Sequence, residues 1–252
     1  MAIAVNTVRE SVRDRIFYSL LIFAVLMLGF SMVLGNLTIG DSVKIIKDFG
    51  LGAISLFGTL IAIFVGIGLI YKEMEKKTIY VILTKPLARW QFLLGKYLGL
   101  SMTLFIEISV MTVCLFALLH FVYDQDIPWL LFKAIIPIWF ELQLILAVAL
   151  LFSTFASPFL SGLFTMSVFV IGHLTQDMKL LSDQADDQLY KNMSDILYYT
   201  IPNLENLNFK ARIVHGLSVS WHELSFSLLY AGCYTGCIML LAILIFEQRD
   251  IR

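Results

Sequence analysis

Residues 71–99 read YKEMEKKTIYVILTKPLARWQFLLGKYLG, a basic and partly amphipathic stretch between two long apolar runs. The run before it, residues 49–69, contains five glycines, and the run after it, residues 98–122, holds one acidic side chain, Glu107. A charged stretch of this kind is not accommodated in hydrocarbon, so it lies at or outside the membrane surface. The pattern predicts a helical membrane protein with a charged segment through which a soluble partner can transmit force.

The composition of the whole chain excludes an ordinary soluble domain. Of its 252 residues 59% are hydrophobic and 15% are charged, whereas soluble domains average about 45–50% and about 25%. The net charge of −1 also argues against nucleic-acid binding, because the chain has no domain-wide basic field.

Six runs are long and apolar enough to cross a hydrocarbon layer of roughly 30 Å, which takes about 20 helical residues. They are residues 17–34, 49–71, 97–122, 129–152, 159–175 and 224–246. Only STFASPFLSG, residues 153–162, separates the fourth run from the fifth, and its Pro158 and small residues predict a turn. No run alternates apolar and polar residues as a barrel strand does. The predicted fold class is an all-α integral membrane protein, a six-helix bundle in a single domain over residues 1–252.

Basic residues concentrate at alternate ends of the six runs, and this bias predicts the orientation of the chain. Eleven of the 18 Lys and Arg residues precede the first run, separate the second from the third, or follow the sixth, and seven lie elsewhere. We therefore predict a multi-pass protein of the cell (inner) membrane with both termini cytoplasmic.

A separate helix is predicted in residues 1–15, before the first span. Apolar residues recur there at helical spacing opposite charged ones, which is typical of a helix that lies in the membrane interface. The alternative is that these residues extend the first span into the cytoplasm. The apolar residues are Val5, Val8, Val12 and Ile16, and the charged ones are Arg9, Glu10, Arg13 and Asp14.

Residues 176–223 form the longest polar stretch, and we expect an extracytoplasmic segment. Its apolar residues from Leu189 to Thr200 trace one helical face, and Pro202 ends that helix. Two interpretations are open: an amphipathic piece that rests on the outer leaflet, and a lid over an exit pathway.

Catalytic and nucleotide-binding motifs are absent from the sequence. Gly95 and Lys96 are followed by Tyr97 rather than by Ser or Thr, and no glycine-rich loop precedes them, so no phosphate-binding loop is present. The four histidines are scattered over different segments. We expect a non-catalytic chain with no cofactor and no metal of its own.

Two acids, Glu107 and Glu141, lie near the middle of predicted spans that run antiparallel as neighbours, so we expect both at a similar depth. An ionised acid at the centre of a span costs about 2.5–3.5 kcal/mol on translocon scales, so each is expected to be paired or protonated. Candidate partners of Glu141 are Gln143 and Lys133. Three roles stay open: an interhelical hydrogen bond, a polar patch on the substrate pathway, and a proton relay.

The order of these parts resembles the permease subunits of ABC transporters of the ABC-2 type, and within them the six-span subunits related to the NosY permease. The motif EKKTIYVILTKPLARWQFLLGK, residues 75–96, carries the resemblance. Lys77 departs from it, since many members have Gly there. NTVRESVRDRIFYSLL, residues 6–21, and IPNLENLN, residues 201–208, are similar more weakly. The matching residues are Glu75, Thr78, Leu83, Pro86, Arg89, Gly95 and Lys96.

The resemblance implies that residues 72–92 are a cytoplasmic coupling segment whose helix docks in a cleft of a separate ATPase subunit. ATP and magnesium would bind to that partner, and two copies of this chain would form the export pathway with two ATPases. The turn at residues 153–158 would make a second, smaller contact. The implied ATPase-coupling residues are Glu73, Glu75, Thr78, Leu83, Pro86 and Arg89.

Alternatives to this assignment remain at the level of the sequence. The basic residues of the loop are also explained by topology alone. The leading functional alternative is an ion- or proton-coupled secondary transporter that uses Glu107 and Glu141 and needs no ATPase. The substrate is not selected by the sequence, although the apolar interior favours a hydrophobic or lipid-like cargo.

Overall fold

The computed structural model describes residues 2–37, 41–75, 88–124, 129–184 and 188–248. Within these ranges every regular element is helical, with nine α-helices and two short 3-10 helices. The α-helices are α1 (Ala2–Val12), α2 (Arg15–Leu37), α3 (Ser42–Glu75), α4 (Arg89–Tyr123), α5 (Phe132–Ser153), α6 (Pro158–Gln184), α7 (Gln188–Thr200), α8 (Lys210–Val214) and α9 (Trp221–Gln248).

Six of these helices, α2 to α6 and α9, are long and apolar enough to cross a membrane, which confirms the predicted number of spans and the all-α fold class. Five of these helices extend beyond their apolar runs, whereas α5 begins at Phe132, after a 3-10 helix over Trp129–Leu131 that opens the fourth run. The 34 residues of α3 and the 35 residues of α4 reach about 51 Å and about 52 Å at 1.5 Å per residue, more than the hydrocarbon layer needs.

The predicted turn between the fourth and fifth spans is confirmed. α5 ends at Ser153 and α6 begins at Pro158. The hydroxyls of Ser153 and Thr154 donate to the carbonyls of Leu150 and Leu151, each at 2.7 Å, and thereby satisfy acceptors that the helix end leaves open. Proline suits the first position of α6 because its missing N–H has no partner there in any helix.

Helices α3 and α5 form the centre of the bundle. α5 packs against α3, α4, α6 and α9, and all of its residues 141–150 are buried. The apolar windows of α3 and α5 are 78% and 72% buried, against 22% for α2, 22% for α6 and 28% for α9. The outer faces of α2, α6 and α9 are therefore available to lipid or to another protein.

We name the end of the bundle that holds α1 the inner end, and the opposite end the outer end, after the orientation predicted from the sequence. α1 is a helix separate from α2, because a turn at Arg13 and Asp14 divides them. Oδ1 of Asp14 accepts a hydrogen bond from the Ile16 backbone N–H at 2.9 Å, which fixes the start of α2. The residues of α1 that face the bundle are Ala4, Thr7 and Ser11, whereas Val5 is exposed.

Candidate functional site

In the sequence, the predicted coupling residues run from the end of α3 to the start of α4. Glu73 and Glu75 lie in the last turn of α3, and Arg89 is the first residue of α4. The part of the coupling segment between these helices, residues 76–87, lies outside the described residues, and so do three of the predicted residues, Thr78, Leu83 and Pro86. The predicted coupling helix is therefore neither confirmed nor contradicted.

Arg89 caps the C-terminal end of α9, which lies at the inner end. Its Nη1 donates to the carbonyl oxygens of Phe246 at 3.5 Å and Glu247 at 3.0 Å, and the ring of Phe92 stacks on that of Phe246 with centroids 6.1 Å apart. The last carbonyls of a helix lack partners within it and attract cations. Arg89 was predicted to dock an ATPase, and the structure shows that it also joins the start of α4 to the end of α9.

α1 lies against α4 where α4 presents two glycines one turn apart. A Cβ atom at Gly99 would lie 2.5 Å from Cβ of Thr7 and 2.7 Å from the carbonyl oxygen of Ala4. At Gly95 it would lie 2.9 Å from Cβ of Ile3. Spacing of small residues four apart lets two helices approach this closely, and a larger residue would separate them.

Lys96 lies between these glycines and is almost fully buried. Its Nζ is 3.6 Å from Oε2 of Glu10 on α1. The closing Gly-Lys of the sequence motif thus has a structural role in holding α1 on α4. We call the contacts of α1 with Gly95, Lys96 and Gly99 the inner clamp.

At the outer end, α6 and α7 form an antiparallel pair. The two helices pack along each other, and the side chains of Lys179 on α6 and Asp195 on α7 form an ion pair. α7 therefore runs back toward the bundle rather than away from it. Its exposed apolar side chains are Met193, Ile196 and Tyr199.

Where α7 ends, the chain enters the bundle. The backbone N–H of Leu204 donates to the carbonyl oxygen of Gly172 at 3.0 Å. Gly172 lies within the predicted fifth apolar run, about 21 Å along α6 from Pro158. We call residues 201–220, which return from this depth to the outer end, the re-entrant segment.

Burial within the protein explains how non-helical backbone is tolerated at this depth. Leu204, Leu207 and Phe209 are buried. The backbone N–H of Asn203 donates to the hydroxyl of Tyr230 on α9 at 2.9 Å. Residues 201–220 are thus inserted between the spans.

Side chains from three spans and the re-entrant segment form a buried polar group. Glu141 of α5 is fully buried, and Nε2 of His173 on α6 lies 3.4 Å from its Oε1. Nζ of Lys210 on α8 donates to Oγ of Ser55 on α3 at 3.0 Å. Lys210, His173, Glu205 and Ser55 are the polar and charged groups that act on Glu141. We call these five residues the polar cluster.

Both ring nitrogens of His173 lie near an oxygen atom. Nδ1 of His173 lies 3.1 Å from the carbonyl oxygen of Phe169, which accepts only, so Nδ1 carries a hydrogen. Nε2 then faces the Glu141 carboxyl. Within the described ranges no group of three or more His, Cys, Asp or Glu residues is placed to hold a metal ion.

Glu107 does not belong to the polar cluster. It is buried in α4, and neither carboxyl oxygen has a hydrogen-bond partner among the described residues. It lies about 24 Å from the outer end of its helix, and Glu141 about 13.5 Å from the outer end of α5. The expectation that both acids share a depth stays a prediction, because these two distances are measured from the ends of two different helices.

The two candidate partners of Glu141 also lie elsewhere. Nζ of Lys133 donates to the carbonyl oxygen of Val219 at 2.9 Å and lies 4.4 Å from the ring centre of Trp221, so it anchors the end of the re-entrant segment. The amide of Gln143 is buried without a hydrogen-bond partner among the described residues. Two positions along a helix differ by about 200° in direction, which turns Gln143 away from Glu141.

A family model described as ABC-2 family transporter protein matches residues 1–251. The chain belongs to the ABC-2 family of transporter proteins. It is a multi-pass membrane protein and a permease subunit of an ABC transporter. A comparison with curated proteins finds no match.

Sequence reasoning found one member of the permease's polar cluster, Glu141, and missed the others. Glu141 is visible because an acid within an apolar run is unusual, whereas Ser55 and His173 are unremarkable alone. Lys210 and Glu205 lie in a polar stretch that reads as a surface segment. The available signal was IPNLENLN, residues 201–208, which resembles the family and forms the turn of the re-entrant segment.

Proposed function

We propose that this permease subunit works in an ATP-driven exporter, as a dimer coupled to a separate ATPase subunit through residues 72–92. ATP and magnesium bind to the ATPase, and this chain provides the translocation pathway. It lies in the cell (inner) membrane with both termini cytoplasmic. The observation that supports the proposal most is the match of the whole chain to the ABC-2 family.

The connection between α3 and α4 supports coupling at this place. Residues 76–87 join two of the longest helices of the bundle, so a partner bound there acts on both. The inner clamp and Arg89 connect α4 with α1 and α9. A displacement at one short segment would thus reach four of the helices.

The open helix faces support a dimer. α2, α6 and α9 leave most of their apolar windows uncovered, and α9 presents Gly232 and Gly236 with no atom near the position of a Cβ. A second copy or lipid covers these faces in a membrane.

A hydrophobic or lipid-like cargo is consistent with a cavity between α3 and α6 near the inner end. The cavity has a volume of about 440 Å³, and its walls include Ile63, Ile67 and Phe159. A second space of about 240 Å³ adjoins it and is lined by Ser157 and Ser161 among others. Together they offer an apolar body and a hydroxyl-lined end, which matches an amphiphile.

The gene beside this one is the first test, and we expect it to encode a P-loop ATPase. Co-expressed with that protein, the permease should co-purify with it, and Glu75→Lys should weaken the association at least tenfold without changing membrane insertion. Lys44→Glu, a charge reversal at the other end of α3, is the control and should bind normally. Arg89→Glu is less informative, because Arg89 also contacts α9.

The secondary transporter stays the rival function, since Glu141 and His173, 3.4 Å apart among the spans, are the kind of acid and imidazole that a proton-coupled carrier needs. Glu107 is not part of this contact, so only one of the two acids predicted for such a carrier lies beside His173. ATP-independent, proton-driven flux through the permease alone, abolished by Glu141→Gln, would replace the export proposal.

A further inference from the structure

The turn between α5 and α6 brings several hydrogen-bond donors together at the inner end. Ser157 stands directly before α6, and its carbonyl oxygen accepts a hydrogen bond from the Ser161 backbone N–H at 2.8 Å, as the N-cap residue of a helix does. Pro158, the first residue of α6, has no N–H. The N–H groups of Phe159 and Leu160 have no carbonyl one turn earlier within the helix, so they point out of its start as free donors.

The side chain of Ser161 is a second, independent sign of a ligand at this place. Ser161 is fully buried and lines the second space described above. Its hydroxyl has no hydrogen-bond partner within the ranges that the structure describes. A buried polar atom without a partner is unfavourable, so a ligand that accepts a hydrogen bond from this hydroxyl would stabilise the site.

These donors favour an anion. The start of a helix carries a partial positive charge, and that of α6 belongs to a helix of 27 residues. Two backbone N–H groups and the hydroxyls of Ser157 and Ser161 suit the several oxygens of a phosphate better than the two of a carboxylate. Among the described residues that line the second space none is acidic, and Tyr71 adds a phenol group to its wall.

The apolar cavity continues from this place into the bundle. Ile67 and Pro158 line both spaces, so the two are continuous. The cavity follows α6 from Pro158 to Met166, about 12 Å along the helix axis, and Gly68 and Gly162 form part of its walls. Since α6 is one of the spans, the cavity runs across the hydrocarbon layer in the direction of the acyl chains.

We propose that the two spaces together bind a phospholipid from the leaflet at the inner end, with its phosphate at the start of α6 and one acyl chain in the cavity. The second space has a volume of only about 240 Å³, so the ligand is a lipid with a small anionic headgroup, such as phosphatidic acid. Binding is a property of this chain alone, whereas transport of the bound lipid as cargo rests on the proposed function.

Ser157→Asp tests the phosphate site without weakening the helix. Aspartate is as good an N-cap residue as serine, but its carboxylate occupies the free N–H groups and repels a phosphate. Native mass spectrometry of the purified permease in detergent, titrated with dioleoyl phosphatidic acid, counts the lipids bound per chain. We expect one tightly bound lipid, and an apparent Kd at least tenfold higher for Ser157→Asp at an unchanged or higher melting temperature.

Ser157→Asn is the matched control, because asparagine also caps a helix but carries no charge. It should bind phosphatidic acid like the unchanged chain. Ser161→Ala removes the unpartnered hydroxyl, so it should weaken lipid binding about fivefold without lowering the melting temperature. A residue with only a structural role would not separate these two readouts.

Gly68→Leu tests the cavity. A Cβ atom at Gly68 meets no atom within 4 Å, so a leucine there fills the cavity without a clash and should exclude the acyl chain. We expect at least a tenfold loss of binding. Gly52→Leu, on the same helix and also with free space around its Cβ, lies away from the cavity and should bind normally.

Two other ligands identify the source of the phosphate. Dioleoyl phosphatidylcholine has the same chains on a zwitterionic headgroup and should bind at least fivefold more weakly than phosphatidic acid. Inorganic phosphate has no chain and should not displace the lipid at matched concentration. Equal affinity for the two lipids, or equal binding by the unchanged chain and Ser157→Asp, overturns the phosphate site. Displacement by inorganic phosphate, or unchanged binding in Gly68→Leu, overturns the assignment to a lipid.

The assembled transporter separates this proposal from the proposed function. In phosphatidylcholine nanodiscs with the ATPase bound, added phosphatidic acid should stimulate ATP hydrolysis with the unchanged chain and with Ser157→Asn, but not with Ser157→Asp. If the permease alone binds the lipid as expected and hydrolysis does not respond, the binding site stands and the cargo role fails. If no ATPase associates with the permease, the proposed function fails, and the binding site is still decided by the permease alone.

Discussion

The two ends of the bundle are built from different interactions. At the inner end, the backbones of α1 and α4 touch through Gly95 and Gly99, and Arg89 binds the last carbonyls of α9. At the outer end, the re-entrant segment meets the spans through a polar cluster, in which Lys210 donates to Ser55 and the side-chain oxygens of Asn203 and Asn208 nearby have no hydrogen-bond partner among the described residues. Close packing permits few alternative positions, whereas ion pairs and hydrogen bonds can be exchanged for water.

This difference indicates a division of mechanical roles. The inner end keeps α1, α4 and α9 together as one body next to the proposed coupling segment. The outer end is the place where relative motion is least expensive, because water satisfies there what the protein leaves unsatisfied. α3 belongs to both ends, since it runs from Ser42 to Glu75 without a break.

The largest effect is expected from a larger residue at Gly99, because it disrupts the packing of the inner clamp directly. Gly99→Val places side-chain atoms where the Ala4 carbonyl and Thr7 already lie, and overpacking of this kind costs about 3 kcal/mol. We expect a loss of several degrees in the melting temperature of the purified permease in detergent. Detachment of α1 should also make its backbone amides exchange faster.

Gly52→Val is the matched control, because a Cβ at Gly52 meets no atom within 4 Å and Gly52 lies on α3, outside the faces offered to a second copy. It should melt close to the unchanged chain. Equal losses from both variants would mean that valine is harmful in any span, and no loss from Gly99→Val would mean that α1 is not clamped.

The spans and their order could be predicted from the sequence because each depends on the length and polarity of one continuous run. The break before Pro158 was predictable for the same reason, since proline and small residues act locally. The separation of α1 from α2 was expected too, and Asp14 is the residue that produces it.

The polar cluster was not predictable, because its residues come from segments far apart in the chain. Glu141 stands out within an apolar run, but its partner His173 is 32 positions away and Lys210 is 69 away. An amphipathic pattern such as that of α7 is the same for a helix on a membrane surface and for one that packs on α6. Only tertiary contacts, such as that between Leu204 and Gly172, distinguish the two.

A smaller effect is expected at Arg89. It tests whether α9 belongs to the body that α1, α4 and α9 form at the inner end, which we call the inner body. Arg89→Met removes a cationic donor from the carbonyls of Phe246 and Glu247, and a charge at a helix end contributes about 1 kcal/mol. Backbone amides in the last turn of α9 should exchange about fivefold faster in hydrogen–deuterium exchange. Arg89→Lys should restore part of the protection, and Arg9→Met on the exposed face of α1 should leave α9 unchanged. Unaltered exchange after Arg89→Met would separate α9 from the inner body.

The smallest effect is expected at Glu107, and we compare its replacement with that of the other buried acid, Glu141. Glu107 belongs to α4 and has no hydrogen-bond partner among the described residues. Glu107→Leu therefore removes a buried, unsatisfied polar group and should leave the free energy of unfolding unchanged or raise it by about 1 kcal/mol. Glu141→Leu makes the same change in the polar cluster and should destabilise the outer end, because it leaves His173 and Lys210 without their acid. Melting curves of the two variants, side by side, measure this contrast. If Glu107→Leu proves the more harmful of the two, the inner body has a polar function of its own, and the division between a packed end and an exchangeable end has to be given up.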